Sequence, residues 1–376
     1  MHLNMADEKK RLIVIDSNSI IHRAYHALPP LTTKKGELVN AVYGFLLVFL
    51  KALKDFQPDY IAVAFDFPAP TFRHKKYKEY KAKRPPAPEE LYQQIPKVKE
   101  ILKSFNVPVF EEEGFEADDI IGTISRLAPK KQVLPKVEMI ILSGDLDILQ
   151  LINPQTKVYS LRKGVKDIVL YDEKLVKEKF QGLKPEQLLD FKALRGDPSD
   201  NIPGVTGIGE KTAIELLLKF GSLENLYKAV EEDKSSSPPF TAARIGKEDK
   251  SSFSPFAAAR VIEENSEKAK EVNPKTRETL LKYKEQAFLS KSLAQIEKNV
   301  PIDFNLKKCQ WGKYDKRKVV QILRQLEFQT LIERLPELKK SDKIKKANPV
   351  RDSGGGKVQE KQTSNGAKVE PQKILF

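Results

Sequence analysis

The stretch Val137-Glu-Met-Ile-Ile-Leu-Ser-Gly-Asp-Leu-Asp147 decides the fold. An apolar run ends at a glycine and then releases two acids, the pattern of a buried strand whose carboxyl end opens onto solvent. Three other segments repeat it. Residues 11–16 (RLIVID) end on Asp16, and residues 60–66 (YIAVAFD) end on Asp66. Residues 107–113 lead into Gly114-Phe115-Glu116-Ala117-Asp118-Asp119. Helix-like segments lie between these runs, notably 40–54 and 89–105. Strands alternating with helices over residues 11–183 predict an α/β core, a mainly parallel sheet covered by helices. From 184 to 335 the strand signals fade and helical periodicity takes over, which predicts a second, helical domain.

Composition sets the outer limits. The 376 residues carry 66 Lys and Arg against 52 Asp and Glu, a net charge of +14, and 40% are hydrophobic. That balance supports a real core and excludes collagen-like, fibrous or wholly disordered chains. The positive excess favours polyanionic partners. Cys309 is the single cysteine, so neither an intrachain disulfide nor a cysteine-based zinc site can form. Residues 1–11 are charged and hold no apolar run of the signal-peptide kind. The most apolar stretch, 41–53, is interrupted by Lys51 and is too short to span a bilayer. A cytoplasmic, nucleoid-associated protein with no membrane partner is expected.

Two segments break the pattern. EDKSSSPPFTAAR and EDKSSFSPFAAAR form a tandem duplication over residues 232–260, which reads as a flexible insertion. The tail from 339 to 376, with ten basic residues against four acidic ones, reads as disordered.

In an open parallel sheet all strands end on one edge, where ligand crevices form. Four strand exits therefore deliver acids to one place. A helix starting near Glu116 puts Glu116 and Asp119 on one face. An extended segment points Asp145 and Asp147 to the same side. Asp197 and Asp200 follow further on. A lone Asp is ordinarily a cap or a turn residue, but nine carboxylates in one crevice repel strongly unless cations neutralise them. Oxygen ligands and only four histidines point to hard cations, Mg²⁺ or Mn²⁺, rather than zinc. Two such ions suit phosphodiester hydrolysis.

Directly after Asp66 comes TFRHKKYKEYKAKRP, residues 71–85, in which Phe72, Tyr77 and Tyr80 interleave with Lys and Arg. Cations fit phosphates and aromatics fit unstacked bases. The run IPGVTGIGEKTA, residues 202–213, is not a Walker loop, because Glu210 separates Gly209 from Lys211. It reads as a helix-hairpin-helix, whose glycine-rich turn points backbone N–H groups at a DNA phosphate.

In these motifs the chain resembles the 5′ nuclease (5′-3′ exonuclease) domain of bacterial DNA polymerase I, in the flap endonuclease superfamily, with a PIN-like core. The motifs are VIDSNSIIHRAYHA, NAVYGF, FDFPAPTFRHKKYKEYKAKRP, GFEADDIIGT, SGDLDILQL, LRGDPSDNIPGVTGIGEKTA and LEFQTL. The resemblance implies one metal site from Asp16, Asp66, Glu116 and Asp118, with Asp119 close by. It implies a second from Asp145, Asp147, Asp197 and Asp200. It places Arg73, Tyr80, Lys81 and Arg84 in a helical arch, about residues 70–96, that grips a single-stranded 5′ flap, with Tyr77 on the DNA and Tyr80 stacking near the terminal nucleotides. Gly204, Gly207, Gly209, Lys211 and Thr212 would hold duplex DNA, and the hairpin carbonyls could take a monovalent cation. The implied activity is metal-dependent 5′-3′ exonucleolysis and 5′ flap cleavage in Okazaki-fragment and repair processing. The partners are DNA with 5′ flaps or nicks. No polymerase or proofreading domain follows, so a stand-alone or separated nuclease, acting as a monomer, is expected. Gln372, Leu375 and Phe376 are spaced like short peptides that dock in the bacterial sliding clamp. Two competing readings are a non-catalytic junction binder and a small-RNA ribonuclease on a related sheet.

Overall fold

A computed structural model describes residues 10–128, 137–232 and 272–337. The duplicated segment beyond Glu232 and the tail carrying Gln372, Leu375 and Phe376 lie outside these residues.

Six strands form one sheet in the order β3-β2-β1-β4-β5-β6. They are β1 (Lys10–Asp16), β2 (Tyr60–Ala64), β3 (Val109–Phe110), β4 (Val137–Ser143), β5 (Thr156–Lys163) and β6 (Asp167–Tyr171). All neighbours pair in parallel except β5 and β6, which form an antiparallel hairpin at one edge. The parallel centre matches the sequence expectation, whereas β5 and β6 were not expected. The strand expected over 107–113 shrinks to two residues. Pro108 cannot donate to a ladder, and Glu111, Glu112 and Glu113 cannot enter a buried sheet together.

The helices are α1 (Ser17–Ala27), α2 (Asn40–Phe56), α3 (Phe72–Lys76), α4 (Glu89–Tyr92), α5 (Ile95–Ser104), α6 (Ala117–Leu127) and α7 (Glu173–Lys179). They continue with α8 (Leu188–Arg195), α9 (Glu210–Phe220), α10 (Leu223–Glu232), α11 (Pro274–Lys282), α12 (Lys284–Ala294), α13 (Lys316–Gln325) and α14 (Gln329–Ile332). The single helix expected over 89–105 is two. Between them the Gln94 amide oxygen accepts the Ala41 and Val42 N–H groups at 2.8 and 3.3 Å. It thus satisfies orphan donors in the first turn of α2, while Pro96 suits the start of a new helix.

Alternation along the central strands builds a core on each face. Leu12, Val14, Ala62, Ala64, Met139 and Ile141 pack on one side with α6, α8, α9 and α10. Ile13, Ile15, Ile61, Val63, Ile140 and Leu142 pack on the other with α1, α2 and α5. This period-2 split is what buries both faces of a parallel sheet. The helical half therefore continues the core of one face. The last helices depart from the helical domain expected through 335, because Val319, Leu323 and Leu331 join the opposite face.

Candidate active site

Each acid is delivered by a strand exit or a helix start. Asp16 ends β1 and caps α1, accepting the Ser19 N–H at 3.2 Å and the Ser143 hydroxyl at 2.6 Å. Burial drives its pKa up to about 6, against these two hydrogen bonds. Asp66 accepts the Ala117 N–H at 2.7 Å and so ties the β2 exit to the start of α6. Glu116 is the N-cap of α6, as expected, and Asp118 lies in its first turn. Burial raises the Asp118 pKa well above the usual carboxylate value, and Asp16, Asp145, Asp147 and Glu116 add to the rise by repulsion. Those five carboxylates, from β1, β4 and α6, share one crevice.

Asp145 and Asp147 are not in an extended segment. The Asp147 N–H donates to Asp145 Oδ1 at 2.9 Å, and Asp147 opens a 3₁₀ turn (Asp147–Leu151). Burial and the Asp145 charge raise Asp147 to about 7. Lys192 on α8 stands between Asp147 and Asp197, with its Nζ paired to Asp147 and 2.7 Å from Asp197 Oδ2. Burial alone would push Asp197 up, but the Lys192 ammonium and the Ser199 hydrogen bonds hold it at about 2. Asp200 belongs with Glu116 rather than with Asp197. The Tyr80 hydroxyl lies 3.1 Å from both Glu116 Oε2 and Asp200 Oδ2 and shares its one proton between them. Lys81 Nζ sits 2.9 Å from Glu116 Oε1 and 3.9 Å from Asp200, and Arg84 also pairs with Asp200.

Among the described residues no group of three or more Asp, Glu, His or Cys side chains is set to hold a metal ion as it stands. The geometry gives the reason: Lys81, Arg84 and Lys192 sit on the carboxylates where ions would compensate charge. The donor set still suits a hard cation. It is all oxygen, and burial followed by mutual repulsion raises the Asp118 and Asp147 pKa values, a cost that a bound cation would offset.

Three of the residues singled out from the sequence take other roles. Arg73, expected on a phosphate, is 3% exposed. Its Nη1 and Nη2 donate to Asp119 at 2.7 Å each, Nη2 also donates to the Gln295 carbonyl at 2.7 Å, and Nε donates to the Leu293 carbonyl at 2.9 Å. Asp119, expected near a metal, is fully buried and also accepts the N–H groups of Glu116 and Glu297 at 3.1 and 2.8 Å. Its four lone-pair sites are filled, which leaves none for an ion. Tyr80, expected to stack on bases, is 3% exposed, with His74 against its ring edge. Tyr77 is partly exposed, and its hydroxyl donates to Glu79 at 3.0 Å.

In the hairpin, Gly204 faces inward. Its N–H donates to Ser290 Oγ at 3.0 Å and its carbonyl accepts Gln286 Nε2 at 2.6 Å. It does not present its N–H to a ligand. Its φ of +64° and its packing on the backbone of Gly196 require glycine. Gly207, Gly209 and Lys211 are exposed and Thr212 is partly exposed. Gly209 caps α9 without any side-chain hydrogen bond, which leaves the first N–H groups of α9 facing outward.

Two features escaped the sequence reading. Lys192 was hidden because a lone lysine on a helix is ordinarily solvated; its spacing of five before Asp197 was the available signal. The other is a cavity of ≈ 650 Å³ beside Asp145, lined among others by Ser19, His22, Arg23, His26 and Lys163. Its signal was the His22/His26 pair at i and i+4 on α1.

Residues 11–181 match the 5′-3′ exonuclease N-terminal resolvase-like domain, and residues 183–317 match the 5′-3′ exonuclease C-terminal SAM fold. The chain belongs to the 5′-3′ exonuclease family. It is 40% identical over 330 residues to DNA polymerase I of Bacillus subtilis, covering 88% of this chain and 33% of that protein. With DNA polymerase I of Caldicellulosiruptor bescii it shares 40% identity over 329 residues, covering 86% and 33%. The chain thus spans about a third of the length of these relatives. A structure of T5 5′-exonuclease with divalent metal ions (zinc) bound aligns at 18% identity and a TM-score of 0.48, covering 76% of this chain and 99% of that one. No helix among the described residues is long and apolar enough to cross a membrane.

Proposed function

We propose that the chain is a divalent-metal-dependent 5′-3′ exonuclease and structure-specific 5′ flap endonuclease acting on DNA in Okazaki-fragment and repair processing. The observation that carries this reading is the convergence of acids from distant parts of the chain: Ser143 links Asp16 to Asp145, Asp145 holds Asp147, Asp66 holds the start of α6 with Glu116 and Asp118, and Asp118 feels the charge of Asp16, Asp145, Asp147 and Glu116. Asp16, Asp66, Glu116 and Asp118 would hold one Mg²⁺ (or Mn²⁺), and Asp145, Asp147 and Asp197 a second, with Asp200 near Glu116. Such ions would activate water and stabilise charge on the transferring phosphate.

The chain's own residues supply the rest. Lys81 and Arg84 come from the arch on flexible side chains, so a scissile phosphate that approaches Glu116 and Asp200 can draw both cations onto itself. The cavity lined by Arg23 and Lys163 gives the strand a cationic margin beside Asp145, while burial lowers the His22 pKa and keeps that ring neutral. The outward N–H groups before α9 and the Lys211 ammonium would hold duplex backbone without reading sequence. One carbonyl that could serve a monovalent cation there, that of Gly204, is already taken by Gln286. We also infer docking of Gln372, Leu375 and Phe376 on a sliding clamp and action as a monomer; loss of those residues without loss of clamp binding would remove the docking.

A 5′-flap duplex incubated with Mg²⁺, and in parallel with EDTA, tests the reading. Cleavage should need the metal and leave a 5′-phosphate. Asp145→Asn should abolish cutting while flap binding persists. Cutting by that variant at the parent rate would refute the assignment. Binding without any turnover by the parent would favour the junction-binder alternative.

A further inference from the structure

The Arg73–Asp119 pair is more heavily fastened than any other ion pair described above, and neither partner is free for substrate or metal. Its connections converge on three elements. Arg73 belongs to the base of the arch, one residue into α3. Asp119 closes the capping box of α6, its Oδ2 holding the Glu116 N–H. Both then grip residues 293–300, which lead out of α12: Arg73 through the Leu293 and Gln295 carbonyls, Asp119 through the Glu297 N–H. The same strap is laced further along α6, where Thr123 Oγ1 accepts the Val300 N–H at 3.0 Å and Arg126 Nε donates to the Lys298 carbonyl at 2.7 Å. At Gly122 the approach is so close that a Cβ would lie 2.5 Å from Ile296 Cγ2. Gln150, at the end of the turn that carries Asp147, donates to the Ala294 carbonyl at 3.2 Å.

We propose that Arg73 and Asp119 are positioning residues: a buried ion pair through which the strap of the helical half sets Glu116 and the foot of the arch in register with the other acids. The proposal rests on the nuclease reading above. Arg73 Nη1 also lies 3.7 Å from Glu116 Oε2, so the pair braces that acid directly. It fixes the N-cap of α6, and with it the direction in which Glu116 and Asp118 enter the crevice.

The roles differ in the sign of a double-variant effect. A phosphate contact and a metal ligand would each contribute separately, so losing both would multiply the losses. A buried pair behaves oppositely, because each single change strands a charge that the double change removes. Arg73→Gln, Asp119→Asn and the double variant are compared with the full chain on a 5′-flap duplex in Mg²⁺. Each single change should lower kcat by about 100-fold, the size expected when a reacting group is displaced by about 1 Å, with KM little changed. The double variant should cut at least tenfold faster than Arg73→Gln alone. The half-saturating Mg²⁺ concentration of Asp119→Asn should stay at the parent value.

Multiplied losses in the double variant would overturn the proposal. So would a tenfold rise in the Mg²⁺ requirement of Asp119→Asn, or a raised KM with kcat preserved in Arg73→Gln. If the single variants fail to fold while the double folds and cuts, the pairing stands. If none folds, Arg73→Lys decides: it keeps the charge but not the fork, so at least a tenfold fall in kcat is expected, and parent activity refutes the proposal. If the parent itself does not cut, the nuclease reading fails, whereas melting of the variants in EDTA still reads the pair: a double variant more stable than either single upholds it.

Discussion

Replacing Lys192 by Met removes one ammonium and little else, because the Met side chain keeps most of the apolar stem. In the native chain that ammonium lies between Asp147 and Asp197. It offsets the burial of Asp197 and, with Ser199, holds that carboxyl at about 2, against an ordinary 3.8. At about 1.4 kcal/mol per pKa unit, the depression corresponds to about 2 kcal/mol of stability. A depressed carboxylate contributes fully above its unfolded pKa and loses that contribution only as the pH falls towards 2, so the whole amount is present at pH 8. Removing Lys192 also leaves Asp147 facing Asp145 and Asp197 without a counter-charge, which adds to the loss. The metal-free variant should therefore melt about 4 °C below the parent at pH 8, taking about 2 °C per kcal/mol for a chain of this size. Mg²⁺ should close most of that gap, because a divalent ion replaces the missing charge and no longer competes with an ammonium. Scanning calorimetry in EDTA and then in Mg²⁺ reads both effects. A variant that melts with the parent in EDTA would refute the role of Lys192 as internal counter-ion.

The raised carboxyls give the opposite pH dependence in the metal-free protein. Asp16 near 6 and Asp147 near 7 bind protons more tightly folded than unfolded, so stability should fall as the pH rises from about 4 to about 7, and Mg²⁺ should flatten the fall; a melting midpoint that climbs through that window would contradict it. Gly204→Ala should cost about 3 kcal/mol by urea unfolding, since the methyl meets the Gly196 backbone at a φ of +64°. Gly207→Ala, at a φ of +89° but in nearly open space, should cost only about 1 kcal/mol. Lys211→Ala should raise the KM for duplex substrates and flatten the salt dependence of binding by about one unit of slope, measured by titration in KCl.

Much of the sheet could be read directly because its central strands end in acids. Residues 11–16, 60–66 and 137–143 are mostly apolar on both faces, as burial between helices demands, and Asp16, Asp66 and Asp145 mark where each strand ends. The β5–β6 hairpin was not legible: Lys157, Arg162, Lys163 and Asp167 dilute its pattern, leaving only the short buried run 158–161 as a signal. The crevice acids were identified by type and position, but their partners were not. Sequence spacing cannot show that Arg73 reaches Asp119 across 46 residues, or that Lys192 lies between two acids. The first depends on α3 folding back onto α6, and the second on a helix from the second half packing against the strand exits of the first. Tyr80 shows the same limit. An aromatic within a basic run suits a nucleic-acid face, yet its hydroxyl finds two carboxylates and its ring is drawn inside.

The helix α12 carries Gln286 and Ser290 onto Gly204 and then runs directly into the strap behind Glu116. Its 11 residues span about 16 Å at 1.5 Å each, a length that cannot stretch without breaking its hydrogen bonds. The turn that would anchor double-stranded DNA and the acids that would break the strand are thus mounted on one rigid ruler. Under the proposed function such a mounting would fix the cut by counting: a constant number of nucleotide steps from the anchored backbone, whatever the bases. Adding or deleting one turn of this helix should move the incision along the strand rather than merely slow it.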